Sequence, residues 1–198
     1  MSRFRLRTLL LSAVAALALC GPLAAATVIQ MNLAEMVDRA DRIFRGTVLD
    51  VREGTVSVGG GELPTVTYRI RVDESFKGSY EEIKGVRIAE LRMVGKLKSA
   101  NTAPVRSFSA LSDLPKLDVG RDYLLLTTPR SAIGLSTMVG LGQGRFELQG
   151  KPGQEVAVNA NNNLGLFRGM GAGFAASTNQ PEGPVPYQDL AGLIRGLV

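Results

Sequence analysis

The chemistry open to this 198-residue chain is that of carboxylates, hydroxyls, arginines and lysines, because it has no His, no Trp and one Cys. Without His there is no Ser-His-Asp triad, no imidazole general base and no imidazole metal ligand. A Ser-Lys nucleophile is the next system to consider, but the spacing that sets Lys one helical turn after Ser does not occur. Ser75 and Lys77 share a face at a strand end and read as surface polar groups. Glycan hydrolysis needs two convergent carboxylates, and Asp73-Glu74 and Glu81-Glu82 qualify by type. Adjacent acids on an extended chain point to opposite faces, so neither pair converges by itself. Zinc sets of Cys and His are lacking, and no acidic calcium-loop pattern occurs, so no metal is expected. The run Gly140-Leu-Gly142-Gln-Gly144-Arg145 superficially suggests a phosphate cradle. The dinucleotide pattern puts its third Gly where Arg145 stands and requires a helix next, whereas Arg145–Gln149 reads as a strand. Gly169, Gly171 and Gly173 likewise precede no helix. These are turn and linker glycines, and no cofactor is expected.

Charge is distributed unevenly. Residues 84–106 hold six basic side chains (Lys84, Arg87, Arg92, Lys96, Lys98, Arg106) and one acid, Glu90. Residues 35–82 hold seven basic and ten acidic ones. A basic strand-loop thus sits on a mildly acidic body and suits an anionic partner, although most charge runs are only solvated surface. Arg69 and Arg71 fall on one strand face and extend the patch toward Lys96, Lys98 and Arg106.

The elements that must position these groups follow an N-terminal targeting segment. Arg3, Arg5 and Arg7 precede an apolar run from Leu9 to Leu19, and Ala24-Ala25-Ala26 supplies a small-residue cleavage pattern. This is the order of a secretory signal peptide, and the run is shorter than the roughly 20 residues needed to span a bilayer. Cleavage is expected after Ala26, with export to the periplasm or the medium. The prefix removes three of the 23 basic residues and no acid, so a net charge of +5 falls to +2. The basic character of the whole chain is therefore no nucleic-acid footprint. Leu19 stands where a lipoprotein signal carries a small residue, so Cys20 reads as apolar filler rather than a lipid anchor. The mature chain then has no cysteine and must be held by its core alone.

Asn32-Leu-Ala-Glu35 has the form of a capping box. Leu33, Met36, Val37, Ala40 and Ile43 follow at helical spacing, with Glu35, Asp38, Arg39 and Arg42 on the other face. This predicts an amphipathic helix of about three turns. Phe44–Val51 then reads as a strand with Gly46 as a bulge or bend, and Gly59-Gly60-Gly61 as a hairpin turn. Thr65–Val72 alternates, with Val66, Tyr68, Ile70 and Val72 inward. Gly85–Met93 reads as a strand with a bulge between Ile88 and Leu91. Gly95–Lys116 is a long polar loop. Arg121–Thr128 reads as a fully buried strand, followed by short strands at Thr137–Leu141, Gly144–Gln149, Gln154–Asn159 and Leu164–Phe167. Asn159–Asn163 is a turn. The organisation is a signal peptide over 1–26, a barrel domain over 27–168, a Gly/Pro-rich linker over 169–186 and a short C-terminal helix over 187–198 that packs back on the barrel. Short strands at hairpin spacing with a helix at each end predict a mainly β fold, a small closed or partly open β-barrel.

Ala40-Asp-Arg-Ile-Phe-Arg-Gly46, Val72-Asp-Glu-Ser-Phe-Lys-Gly78, Leu117-Asp-Val-Gly-Arg-Asp-Tyr-Leu-Leu-Leu126 and Gly142-Gln-Gly-Arg-Phe146 add a further indication. Together they resemble a group of uncharacterised bacterial exported proteins, whose fold is similar to the OB-type barrel of tissue metalloproteinase inhibitors and netrin-like modules. The resemblance implies a five-stranded barrel without enzymatic activity. Inhibitors of that type present an N-terminal Cys to the catalytic zinc. The predicted mature N-terminus here is Thr27, with no Cys behind it, so the inhibitory site does not carry over.

The function expected is that of a non-catalytic exported binding module that docks a protein partner in the cell envelope or outside the cell. An anionic polymer or a lipid surface is an alternative ligand, and an accessory role in a larger assembly fits the same features. Nucleic acid is not expected, because aromatics are only 6% of the chain and export removes it from that ligand. From another class, a carboxylate-based envelope glycan hydrolase is the alternative.

Overall fold

The computed structural model describes residues 29–95, 115–171 and 182–198. The predicted signal peptide with Cys20, and most of the Gly95–Lys116 loop, lie outside them. The chain is mainly β. The strands are β1 (Arg42–Val58), β2 (Gly61–Lys77), β3 (Glu81–Ile83), β4 (Val86–Val94), β5 (Asp122–Thr127), β6 (Arg145–Gln149), β7 (Val156–Asn159) and β8 (Val185–Pro186). Helices α1 (Leu33–Arg39) and α2 (Tyr187–Leu197) flank them in the chain. The strands form one antiparallel sheet in the order β3-β4-β2-β1-β5-β6-β7-β8. The ladder of described strands does not close on itself. One backbone bond, from Ser136 N to Arg92 O at 2.8 Å, crosses from the segment after β5 to β4.

Helix α1 starts where the sequence places it. The Asn32 side chain accepts from Glu35 N, and Asn32 N donates to the Glu35 carboxylate, each at 2.9 Å. It stops a turn earlier than the periodicity predicts. Ala40 is already extended and Asp41 N donates to Thr127 O at 2.8 Å, so β5 captures the chain. Ile43 is buried, but from β1 and not from the helix.

Strand β1 is the hinge of the architecture. It pairs with β2 along its length and with β5 from Arg42 to Thr47. Its pairing with β2 slips at three places, one of them between Arg45 and Gly46, where a bulge or bend is predicted. A Cβ at Gly46 would lie 2.3 Å from Arg71 O and 2.9 Å from Ile70 Cγ2. Only glycine admits that approach, and the bulges coil the sheet. The predicted bulge in β4 is absent: Thr65↔Val94 runs without slip to Arg71↔Ile88. Ala89, Leu91 and Met93 are buried at alternate positions, and Ile88 is buried on the opposite face.

The core has two layers, one on each face of the sheet. Ile43, Leu124, Leu126 and Phe146 pack against Leu33 and Met36 of α1 and Leu190 and Ile194 of α2. Phe44, Tyr68, Ile70, Leu91, Tyr123 and Leu125 fill the other. Tyr123–Leu126 is at most 1% exposed, as a strand covered on both faces requires.

Three short segments differ from the sequence reading. Thr137–Leu141 contributes one bridge, Thr127↔Met138, because the chain turns at Gly140. Leu164–Phe167 is a turn, since Asn162, Asn163 and Gly165 all take left-handed backbone. Glu81–Ile83 is an edge strand, joined to β4 by Lys84-Gly85 at φ 52° and 78°, the backbone signs of a tight hairpin turn. Within the stretch read as a linker, Val185-Pro186 pairs with β7, and residues 172–181 lie outside the described residues. Asn159 and Asn163 bond reciprocally, backbone N to side-chain Oδ1, at 2.9 and 2.8 Å. The Asn163 amide also donates to Ala157 O and Gly183 O, tying the segment before α2 to β7.

Two glycine substitutions separate close approach from simple flexibility. Gly46→Ala should cost about 1–3 kcal/mol through overpacking. Gly192→Ala, in α2 with nothing within 4 Å of the added Cβ, should gain about 0.5–1 kcal/mol. Urea midpoints moving in opposite directions are the expected result, and equal behaviour would remove the constraint assigned to Gly46.

Candidate functional site

The strands present alternate side chains outward, and β1, β2 and β5 use that face for a network of arginines and carboxylates. Arg69 donates to Asp50 at 2.9 Å, and Arg52 approaches the other oxygen of Asp50 at 3.2 Å. Arg71 Nε meets Asp73 at 2.7 Å, while its Nη2 donates to the Thr47 hydroxyl at 3.0 Å. Thr47 has one proton to give and lies 2.6 Å from Asp122 Oδ1 and 3.0 Å from Asp73 Oδ2, so the shorter contact takes it. Arg69 and Arg71 therefore lie near each other, as the strand period predicts, but each is paired within the fold. Lys96, Lys98 and Arg106 lie outside the described residues.

The same network reaches α2. Arg45 contacts Glu155 at 3.0 Å and Asp122 at 3.4 Å, and its guanidinium stands 4.7 Å from the centre of the Tyr187 ring. Burial alone would lower the Arg45 pKa, but its bonds to Glu155 and Asp122 reverse this, and the net shift is upward. The Tyr187 hydroxyl donates to Glu74, which also pairs with Arg195 near the end of α2. Burial first, then the Glu74 carboxylate, push the Tyr187 phenol well above its ordinary value. Arg195 in turn stands over Phe76 at 5.3 Å. Asp73 and Glu74, adjacent in sequence, thus serve different partners. Glu81 and Glu82 are exposed on the edge strand β3.

A second feature was missed by sequence reading. A cleft of about 520 Å³ opens where the start of β1 meets the β3–β4 edge, with Arg42, Arg130, Tyr80 and Ile88 among its walls. Arg42 is only 8% exposed. Its aliphatic stem fits because residue 78 is Gly: a Cβ there would lie 2.6 Å from Arg42 Cγ. Arg42 Nη2 donates to Glu90 O at 3.0 Å, and Arg130 Nη2 reaches the same carbonyl at 3.5 Å. Among the described residues no carboxylate lies within 4.0 Å of either guanidinium. Burial, and then the facing charge of Arg130, hold Arg42 below the ordinary arginine range. Tyr80 packs edge-on against Phe44 at 5.3 Å and donates to Lys77 O at 2.7 Å. Burial raises its phenol to about 12. The helical reading of residues 33–43 put Arg42 on a solvated face, which concealed this site. The signal available was the β-rich run Ile43-Phe44, which starts a strand at Arg42.

The glycine run at residues 140–144 forms a turn. Gln143, 3% exposed, accepts from Met31 N and donates to Ile29 O, both at 2.9 Å. It clamps the segment that leads into α1. No group of three or more Cys, Asp and Glu side chains among the described residues is placed to hold a metal ion. No helix among them is long and apolar enough to cross a membrane. In comparison with known proteins, the chain matches no protein-family model and no curated protein sequence.

The Glu155–Arg45 pair generates a pH prediction. Its own backbone N–H and then Arg45 hold the Glu155 carboxyl below the ordinary glutamate range. A depressed carboxyl contributes stability above its unfolded pKa, about 4.3, and loses it as pH falls through the folded value. Glu155→Gln should therefore lower the urea midpoint at pH 7 and match the parent near pH 2. An equal deficit at both pH values would show that the charge of Glu155 contributes nothing.

Proposed function

We propose that this chain is a non-catalytic binding or accessory module, exported by a cleaved signal peptide after Ala26, and that its sheet is an OB-like barrel with one weakly bonded seam. The strand path β4-β2-β1-β5, with the Ser136–Arg92 bond on the open side, supports the barrel reading. The observation that carries the functional reading is the use made of the ionisable groups. Asp50, Asp73, Glu74 and Asp122 on β1, β2 and β5, and Glu155 just before β7, are each engaged by arginine. That arrangement ties strands and α2 together and gives these carboxylates a structural task. The glycan-hydrolase reading draws no support from it, because the two carboxylates that meet across Thr47 are both held by arginine.

The partner is a protein of the envelope or the medium, met through Lys96, Lys98 and Arg106. Arg69 and Arg71 already have carboxylate partners and add little to this contact. The test is affinity capture on the mature chain, with envelope and culture-supernatant proteins of its host passed over at low and then high salt. One protein held at fixed stoichiometry at low salt, released at high salt, and lost when Lys96, Lys98 and Arg106 are replaced by Ser is the expected result. Capture unchanged by those three replacements would overturn the assigned contact. Retention of glycan or lipid vesicles in place of protein would overturn the choice of partner.

A further inference from the structure

We propose that the cleft at the start of β1 binds a small zwitterion of amino-acid or short-peptide type, its carboxylate held by Arg42 and Arg130 and its ammonium facing Asp41, Glu81 and Glu90. This site is separate from the partner contact proposed above and does not depend on it. The two guanidinia converge. Their Nη2 atoms lie 3.0 and 3.5 Å from the same oxygen, Glu90 O, so they are at most 6.5 Å apart. Charge-assisted N–H···O bonds of about 2.7–2.9 Å let the two oxygens of one carboxylate bridge that span. Neither guanidinium has a carboxylate within 4.0 Å among the described residues. Among the described residues the one hydrogen-bond acceptor of the buried Arg42 side chain is a neutral carbonyl, so its guanidinium keeps donors for a ligand.

The rest of the lining selects the ligand's class. Asp41, Glu81 and Glu90 border the same cleft, and Ser79 adds a hydroxyl. A phosphate dianion would meet three acids beside two arginines. A ligand carrying one carboxylate and one ammonium satisfies both sets. The volume, about 520 Å³, is that of a small-molecule site.

The test is a set of titrations of the purified protein at constant ionic strength, read from arginine Nε–Hε and backbone amide NMR signals. The probes are triglycine, N-acetyltriglycine, triglycine amide and inorganic phosphate. Triglycine should shift Arg42, Arg130 and Tyr80 signals saturably. The acetylated form should bind several-fold more weakly, and the amide should give no saturable shift. Arg130→Gln, at an exposed position that leaves the fold intact, should weaken triglycine binding about tenfold, the loss of one charge-assisted hydrogen bond. Equal binding of triglycine and its acetylated form would overturn the ammonium half of the proposal. Saturation by phosphate in preference to triglycine, or triglycine binding unchanged in Arg130→Gln, would overturn the whole.

Discussion

The approach of the Arg71 carbonyl to Gly46 governs how this sheet can curve. Strand β1 is shared by two partners at its base and is buried on both faces there, so any change in its path moves β2 and β5 together. A side chain at Gly46 would push the two strands apart where they must be closest. The bulges around it let one sheet serve two core layers, one beneath the helices and one inside its own curl.

Polar side chains do a comparable job outside the core. Among the described residues there is no cysteine, so no disulfide fastens the ends of the strands. Arginines instead tie neighbouring strands through carboxylates, and Tyr187 and Arg195 extend the same lattice to α2 through Glu74. Pairs of this kind are individually weak at a surface and gain weight when linked and half-buried. Arg42 differs: among the described residues it is buried with no carboxylate within 4.0 Å, and it faces a second arginine.

Much of the fold was legible where local pattern and tertiary demand agree. The capping box at Asn32 and Glu35, the alternation from Val66 to Val72 and the apolar run Tyr123–Leu126 each require one environment, and each has it. Legibility failed where a distant strand decided the outcome. Helical spacing includes Ile43, but Thr127 O takes the Asp41 amide first and the helix ends. The β-pattern at Thr137–Leu141 yields to the turn at Gly140, and the apparent slip in β4 is a second buried face rather than a bulge. The charge pattern placed Arg69 and Arg71 together but could not show that Asp50 and Asp73 would neutralise them. Nor could it show the cleft, which depends on a glycine 36 positions from Arg42 making room for its stem.

The two helices share one core layer although they stand at opposite ends of the described chain. Leu33 and Met36 of α1 lie in the same cluster as Leu190 and Ile194 of α2. Among the described residues, the layer inside the sheet's curl draws on those from Phe44 to Met138. A polypeptide emerging N-terminus first can therefore complete one layer while the other still lacks a wall. Without α2 the helix side of β5 and β6 lacks Leu190 and Ile194. Closing that layer thus depends on α2, the described element farthest along the chain from α1.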